Sequence, residues 1–406
     1  MNSPAADARR VRESRLKLGL GIFSAILVGI AGVLVVGLKP LLVTAYVGSL
    51  HLSHSEAGTL VAIDMAGAMA GNFLGSWKLY AFNRTRVAGA GLLLIIVGNV
   101  SSIACGTTDA LALARLATGL GAGISASVMA AVLSSTSTPD RFFALYSIAA
   151  FLTSAAAMWF TGSVLTNYGI GPMFGVLATV SLVPLLFASG LPRARVKGVS
   201  RARAEGINAP PRADRVGILL LLVGTVLYYG VTGGVYSFMA QIGLERGISH
   251  ESINEGLSLS QVAGAVGAVV PFVLRDRLGR ALPIALAFLV MLACLPYFLF
   301  STSPIAFAAA MSGFVFAWLM FFPYLMGVCA NFDPRGRVGT LDLAVQYAGL
   351  TLGPTIAGVI SQHFGYGVLL GGAAVGYVTA AGIFLTAEVR SRASAKSPAA
   401  DIPLRK

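Results

Sequence analysis

From Leu18 to Leu38 the chain runs for 21 residues without a charge. A helix needs about 20 mostly apolar residues to cross the hydrocarbon core of a bilayer, so this stretch is long enough to span. The pattern recurs along the whole chain. Spans are predicted over 18–46, 57–77, 87–105, 110–134, 142–166, 172–191, 216–242, 252–274, 281–300, 304–330, 338–362 and 367–387. With 56% of residues hydrophobic and only 11% charged, the composition excludes a water-soluble globule. The fold expected is all-α and integral to a membrane, with twelve transmembrane helices surrounded by lipid.

The formal net charge of +13 is that of a nucleic-acid binder, but the basic residues are scattered over short loops instead of forming a patch or a helix stripe. No nucleic-acid partner is expected. Of the 29 Lys and Arg, 26 fall on one side of the predicted spans, Arg246 falls on the other, and Lys39 and Arg115 lie within spans. By the positive-inside rule the tails 1–17 and 388–406 and the loop 192–215 are cytoplasmic, which fits a bacterial inner membrane. The first apolar run is too long for a signal-peptide core and is read as a retained helix. Cys105, Cys294 and Cys329 show no metal-ligand spacing, so reduced packing residues are expected and no metal.

The loop 192–215 is the longest connection, rich in Arg, Ala, Pro and Gly and without apolar periodicity. It reads as a linker between a six-helix bundle over 18–191 and a second over 216–387. An offset of 196 residues superimposes Arg141 on Arg337, Leu145 on Leu341, Gly162 on Gly358, Tyr168 on Phe364 and Gly169 on Gly365, and Ser53 and His54 on Ser249 and His250; with one inserted residue, Asp64, Ala66 and Gly67 match Gln261, Ala263 and Gly264. Two parallel repeats joined in this way can swing about one midplane site and expose it to each side in turn. A duplicated helical scaffold without transport is the plainer alternative.

Several short patterns then resemble the major facilitator superfamily over essentially the whole chain. Arg115, Gly119, Gly121 and Gly123 look like its Arg-x-x-x-Gly-x-Gly pattern in span four, and Asp276, Arg277, Leu278, Gly279 and Arg280 look like its cytoplasmic loop motif. The matching loop of the first half keeps Gly75 and Arg84 but has Leu79 where the family usually has Asp. Gly349, Gly353, Pro354 and Gly358 in span eleven resemble a motif that antiporters of the superfamily carry in span five, where this chain has no Gly-Pro pair. Gly37, Pro40 and the 50–60 stretch are similar to drug-efflux members. The resemblance implies two pseudo-symmetric six-helix bundles and conformational roles for Gly75, Arg84, Asp276, Arg277, Gly279, Arg280, Gly353 and Pro354. Solvated loop charges and close helix packing explain the same residues without gating.

Lys39, Asp64 and Arg115 are the sharpest pointers to chemistry, because an ionisable group at depth in a bilayer costs several kcal/mol unless it faces a cavity or a partner. Counting from the span ends puts Lys39 and Asp64 roughly 12 Å deep and Arg115 roughly 9 Å deep, all in the outer half of the first bundle. One surplus positive charge there favours an anionic solute. A structural ion pair, or a Lys39 that snorkels beside Pro40, are the alternatives. The other bundle offers Tyr228, Tyr229, Thr232, Tyr236, Gln241 and Gln261, which can stack on and hydrogen-bond an organic ring, or simply pack. Asp342 with Gln346 and Tyr347 is a second candidate for proton handling, unless Asp342 caps its helix or meets Arg335 or Arg337. Of the two carboxylates, Asp64 reads as the better proton carrier.

The function expected is secondary active transport of a small organic anion coupled to protons, by a monomer, with no cofactor. No phosphate-binding Gly-x-x-x-x-Gly-Lys loop occurs. Proton-driven efflux of amphipathic compounds competes with that reading, and a non-transporting membrane sensor or assembly partner is the alternative of another class. An enzyme is not expected, since His51, His54, His250 and His363 lie at span ends and make no triad-like set.

Overall fold

The computed structural model describes residues 4–78, 83–136, 139–192, 214–274, 279–332 and 337–396. Leu79, Asp276, Arg277 and linker residues 193–213 lie outside them.

The helices are α1 (Pro4–Gly37), α2 (Lys39–Leu50), α3 (His54–Lys78), α4 (Arg84–Ala104), α5 (Thr108–Leu133), α6 (Pro139–Tyr168), α7 (Ile170–Phe187), α8 (Arg215–Glu245), α9 (His250–Leu274), α10 (Ala281–Phe300), α11 (Pro304–Phe332) and α12 (Arg337–Lys396). Among the described residues, nine helices are long and apolar enough to cross a membrane, or ten when the bent pair α1 and α2 counts as one crossing. The last of these, Leu341–Arg392, is 52 residues long and breaks at Gly365, so it supplies two crossings. With α9, the predicted spans each have a helix. Their outer faces carry large apolar side chains where lipid would stand, such as Ile305, 83% exposed.

The first span departs from an unbroken helix. Between α1 and α2 the axis bends by about 40° at Leu38, where Gly37 and Pro40 bracket the break and Pro40 can sit in a first helical turn without losing a donor.

Capping and backbone conformation expose the duplication. Ser53 and Glu56 form a capping box at the start of α3: Ser53 N–H donates to Glu56 Oε2 at 2.8 Å and Glu56 N–H donates to Ser53 Oγ at 3.2 Å. Its repeat partner Ser249 accepts from Ser252 N–H at 3.3 Å before α9. Gly169 (φ 85°, ψ −172°) separates α6 from α7, and Gly365 (φ 76°, ψ 172°) breaks α12. That backbone region is essentially closed to residues with a Cβ. The same punctuation thus occurs at the same place in both halves.

The chain divides into two compact units, one of Met1–Lys39 with Ile63–Val199 and one of Pro40–Ala62 with Ser200–Lys406. Within the first, α4 packs along α5 and α7, and α1 along α5. Within the second, α8 packs along α12 and α9 along α11. The hairpin 40–62, sequentially part of the first half, clusters with the second.

Candidate functional site

The first unit builds its charged cluster from glycine packing. A Cβ on Gly119 of α5 would overlap the carbonyl oxygen of Asp64 on α3, and one on Gly123 would overlap that of Ala68. From the other side, Gly67 meets Leu116 O and the Cα of Gly119. The two backbones therefore touch, as small residues allow in lipid. Arg115 lies one turn before Gly119, so the same contact brings its guanidinium to the Asp64 side chain, with Nη1 3.8 Å from Oδ2.

Arg115 is held further through its second terminal nitrogen, while Nε has no hydrogen-bond partner. Its Nη2 stands 2.9 Å from each of Asn99 Oδ1, Ser102 Oγ and Thr118 Oγ1, and the guanidinium lies 4.8 Å from the centre of the Phe174 ring. These four partners were not singled out in the sequence. Asn99 and Ser102 are three residues apart on α4 and Thr118 follows Arg115 by three on α5, spacings that place each pair on one helix face; lone uncharged polar residues are too common in such helices to stand out.

Lys39 opens α2, at the bend. It is 0% exposed, so its amine does not reach a surface, and Nζ has no hydrogen-bond partner. Its charge and that of Asp64 act on one another. The three groups named from sequence depth are thus brought together inside one unit: one carboxylate and two cations, one of them an ammonium with unused donors.

The second unit distributes its candidates differently. Tyr228 is packed among Tyr229, Phe288, Phe321, Tyr377 and Phe384, with ring centroids 4.5–6.1 Å away, and its hydroxyl points at Met291 Sδ, 3.5 Å distant. This is core packing. Tyr236 accepts from Gln261 Nε2 at 2.8 Å and stands edge-on to Trp318. Gln241 is half-buried, with Oε1 unpartnered. Asp342 does not cap α12, which begins five residues earlier at Arg337; it accepts from Thr225 Oγ1 at 2.6 Å and from Gln346 Nε2 at 2.8 Å. An apolar crevice of about 310 Å³ beside them is lined by Gly and aliphatic residues such as Leu227, Gly230, Ile356 and Leu369, which leaves nothing there to bind an anion.

The described residues among those assigned conformational roles lie against neighbouring helices. Gly75 admits Ser127 and Ile124 of α5, and Arg84 Nη2 donates to Ala131 O in the last turn of α5 at 3.4 Å, where a cation complements the helix dipole. Gly279 takes φ 62° next to Arg392, and Arg280 lies over Gly327 of α11. Gly353 presses on Gly230 of α8, and Pro354 O faces Gly58. Asp276 and Arg277 fall outside the described residues.

The sequence profile of the Major Facilitator Superfamily matches residues 21–341. The chain belongs to that superfamily. No curated protein matches the chain. Among solved structures, a D-xylose-proton symporter superimposes with a TM-score of 0.69 at 16% identity, covering 92% of this chain and 96% of that one. A peptide transporter of the POT type, in complex with sulfate, gives 0.71 at 15% identity over 91% and 95%. A bacterial homolog of the human lysosomal transporter Spinster, inward-facing and unoccupied, gives 0.66 at 17% identity over 94% and 99%. At such identities the likeness concerns the fold alone. Superfamily membership makes the chain an integral membrane transporter and not an enzyme.

Proposed function

We propose that this superfamily member is a proton-coupled secondary transporter of a small organic anion, acting from the bacterial cytoplasmic membrane with both termini inside. The observation that carries the reading is Lys39: a buried ammonium without a hydrogen-bond partner, beside an Asp64 that already has Arg115 as its counterion. A carboxylate on the solute would supply what Lys39 lacks, in a setting where a lone charge is costly. Arg115 donates from Nη2 to Asn99, Ser102 and Thr118 and faces Asp64 with Nη1; it serves as the counterion of Asp64, with Lys39 as the primary ligand. The D-xylose-proton symporter has the same fold, so the fold is compatible with proton coupling.

The test is reconstitution into vesicles containing a pH dye, with benzoate, other organic acids and amphipathic cations added in turn. Anions moving protons, and losing that effect in Lys39→Met, is the expected outcome. Proton release driven only by amphipathic cations would replace this reading with efflux. Movement of no solute at all, with folding intact, would favour a sensor or assembly partner.

A further inference from the structure

Three carboxylates are buried among the described residues: Asp64, Asp342 and Glu388, each at most 1% exposed. Two have permanent counterions. Asp64 has Arg115 at 3.8 Å, and Glu388 has Arg392 Nε at 2.7 Å. Among the residues whose side chains are described, which do not include Arg335 and Arg337, Asp342 has no cation within 4 Å; the titratable groups that face it from neighbouring helices are Tyr229 of α8 and Cys329 of α11, neither a cation, and from its own helix comes Gln346. A guanidinium or ammonium beside a carboxylate favours its ionised form, whereas burial without one opposes it.

The hydrogen-bond scheme around Asp342 accommodates both forms. When the group is ionised, Thr225 Oγ1 donates to Oδ1 and Gln346 Nε2 donates to Oδ2. When it is protonated, the new O–H sits on Oδ1 and donates to Thr225, whose hydroxyl reverses from donor to acceptor, while Gln346 keeps its bond to Oδ2. Each carboxyl oxygen of Asp342 thus keeps a partner in either state. Asp64 lacks this arrangement, since both of its oxygens are without hydrogen bonds.

We propose that Asp342, with Thr225 and Gln346, is a proton-exchange site in the second unit. As the source of the coupling proton it rests on the transport reading above, but the site itself can be tested without any solute. The full-length protein in lipid vesicles is titrated with pH while its infrared carbonyl absorption is recorded. The expected result is a reversible protonated-carboxyl band that is lost in Asp342→Asn and retained in Asp64→Asn. Gln346→Leu, which keeps the carboxyl but removes one donor, shifts the midpoint of that band and serves if Asp342→Asn fails to fold. A band that survives Asp342→Asn, vanishes in Asp64→Asn, or ignores Gln346→Leu overturns the proposal. In the vesicle assay, a chain that keeps the Asp342 band but moves no protons with benzoate or any other acid would sink the transport reading and leave the site standing.

Discussion

Gly58 lies against the carbonyl oxygen of Pro354 so closely that a single added carbon on Gly58 would overlap it, and Gly358 makes the reciprocal contact with the carbonyl of His54. Around this seam Ser55 N–H donates to Gln362 Oε1 at 3.1 Å and the His54 ring stacks on Tyr366 at 5.5 Å. Gly58→Leu must therefore push the hairpin 40–62 off α12. Hydrogen exchange over residues 54–62 should accelerate at least about tenfold, the equivalent of some 1.4 kcal/mol. Unchanged protection would show that the contact is not what orders the hairpin.

The polar shell of Arg115 predicts a stability effect without any change of charge. Asn99→Leu removes a hydrogen bond to a charged group, expected to cost about 1.5–3 kcal/mol. In the Arg115→Met background the same substitution should cost less, because the partner is gone. Equal losses in both backgrounds, read from thermal unfolding in detergent, would mean that Asn99 acts through packing alone.

The predicted spans, the duplication and the charged trio were legible because each rests on a local count: uncharged run length, an offset between halves, distance from a span end. What resisted reading depends on neighbours remote in sequence. Tyr228 was offered as a wall for a ring-shaped solute, but phenolic groups on a helix face look the same whether they meet solute or, as here, Phe288, Phe321 and Phe384. The bend at Leu38 was signalled by Gly37 and Pro40, yet the apolar run continues across it and hydropathy alone carries the helix through. Gly119 was noticed as part of a motif; that its missing side chain lets Asp64 approach emerges only when α3 and α5 are side by side.

Asp214 both caps α8, accepting from Gly217 N–H at 3.0 Å, and receives a two-point fork from Arg390, with Nε and Nη2 each 2.7 Å from a carboxylate oxygen. The Arg390 hydrogen bonds, helped by the cap, hold Asp214 below its usual carboxylate range. Because the folded value is the lower one, the contribution is complete above pH about 4 and fades as pH falls through the folded value. Thermal stability should respond to Asp214→Asn at neutral pH but converge with wild type in strong acid. Asp214→Ala, which loses the cap too, should be weaker still at neutral pH. A mutant deficit that persists undiminished in acid contradicts the assignment.

Gly169 and Gly365 have open space around them but a backbone conformation that penalises a side chain. Gly365→Ala and Gly169→Ala should each cost about 1–3 kcal/mol, whereas Gly371→Ala, equally unobstructed but at no positive φ, should be nearly silent. Comparable losses at all three positions in thermal scans would remove the conformational explanation.

Those single-residue corners leave no slack between the helices they join. Nothing separates α6 from α7 except Gly169, and one residue alone interrupts α12, so neither helix of a pair can slide lengthwise without dragging its mate. Piston-like travel of one helix past its mate is therefore confined to helices with longer connections, and what a single glycine leaves free is a change of angle.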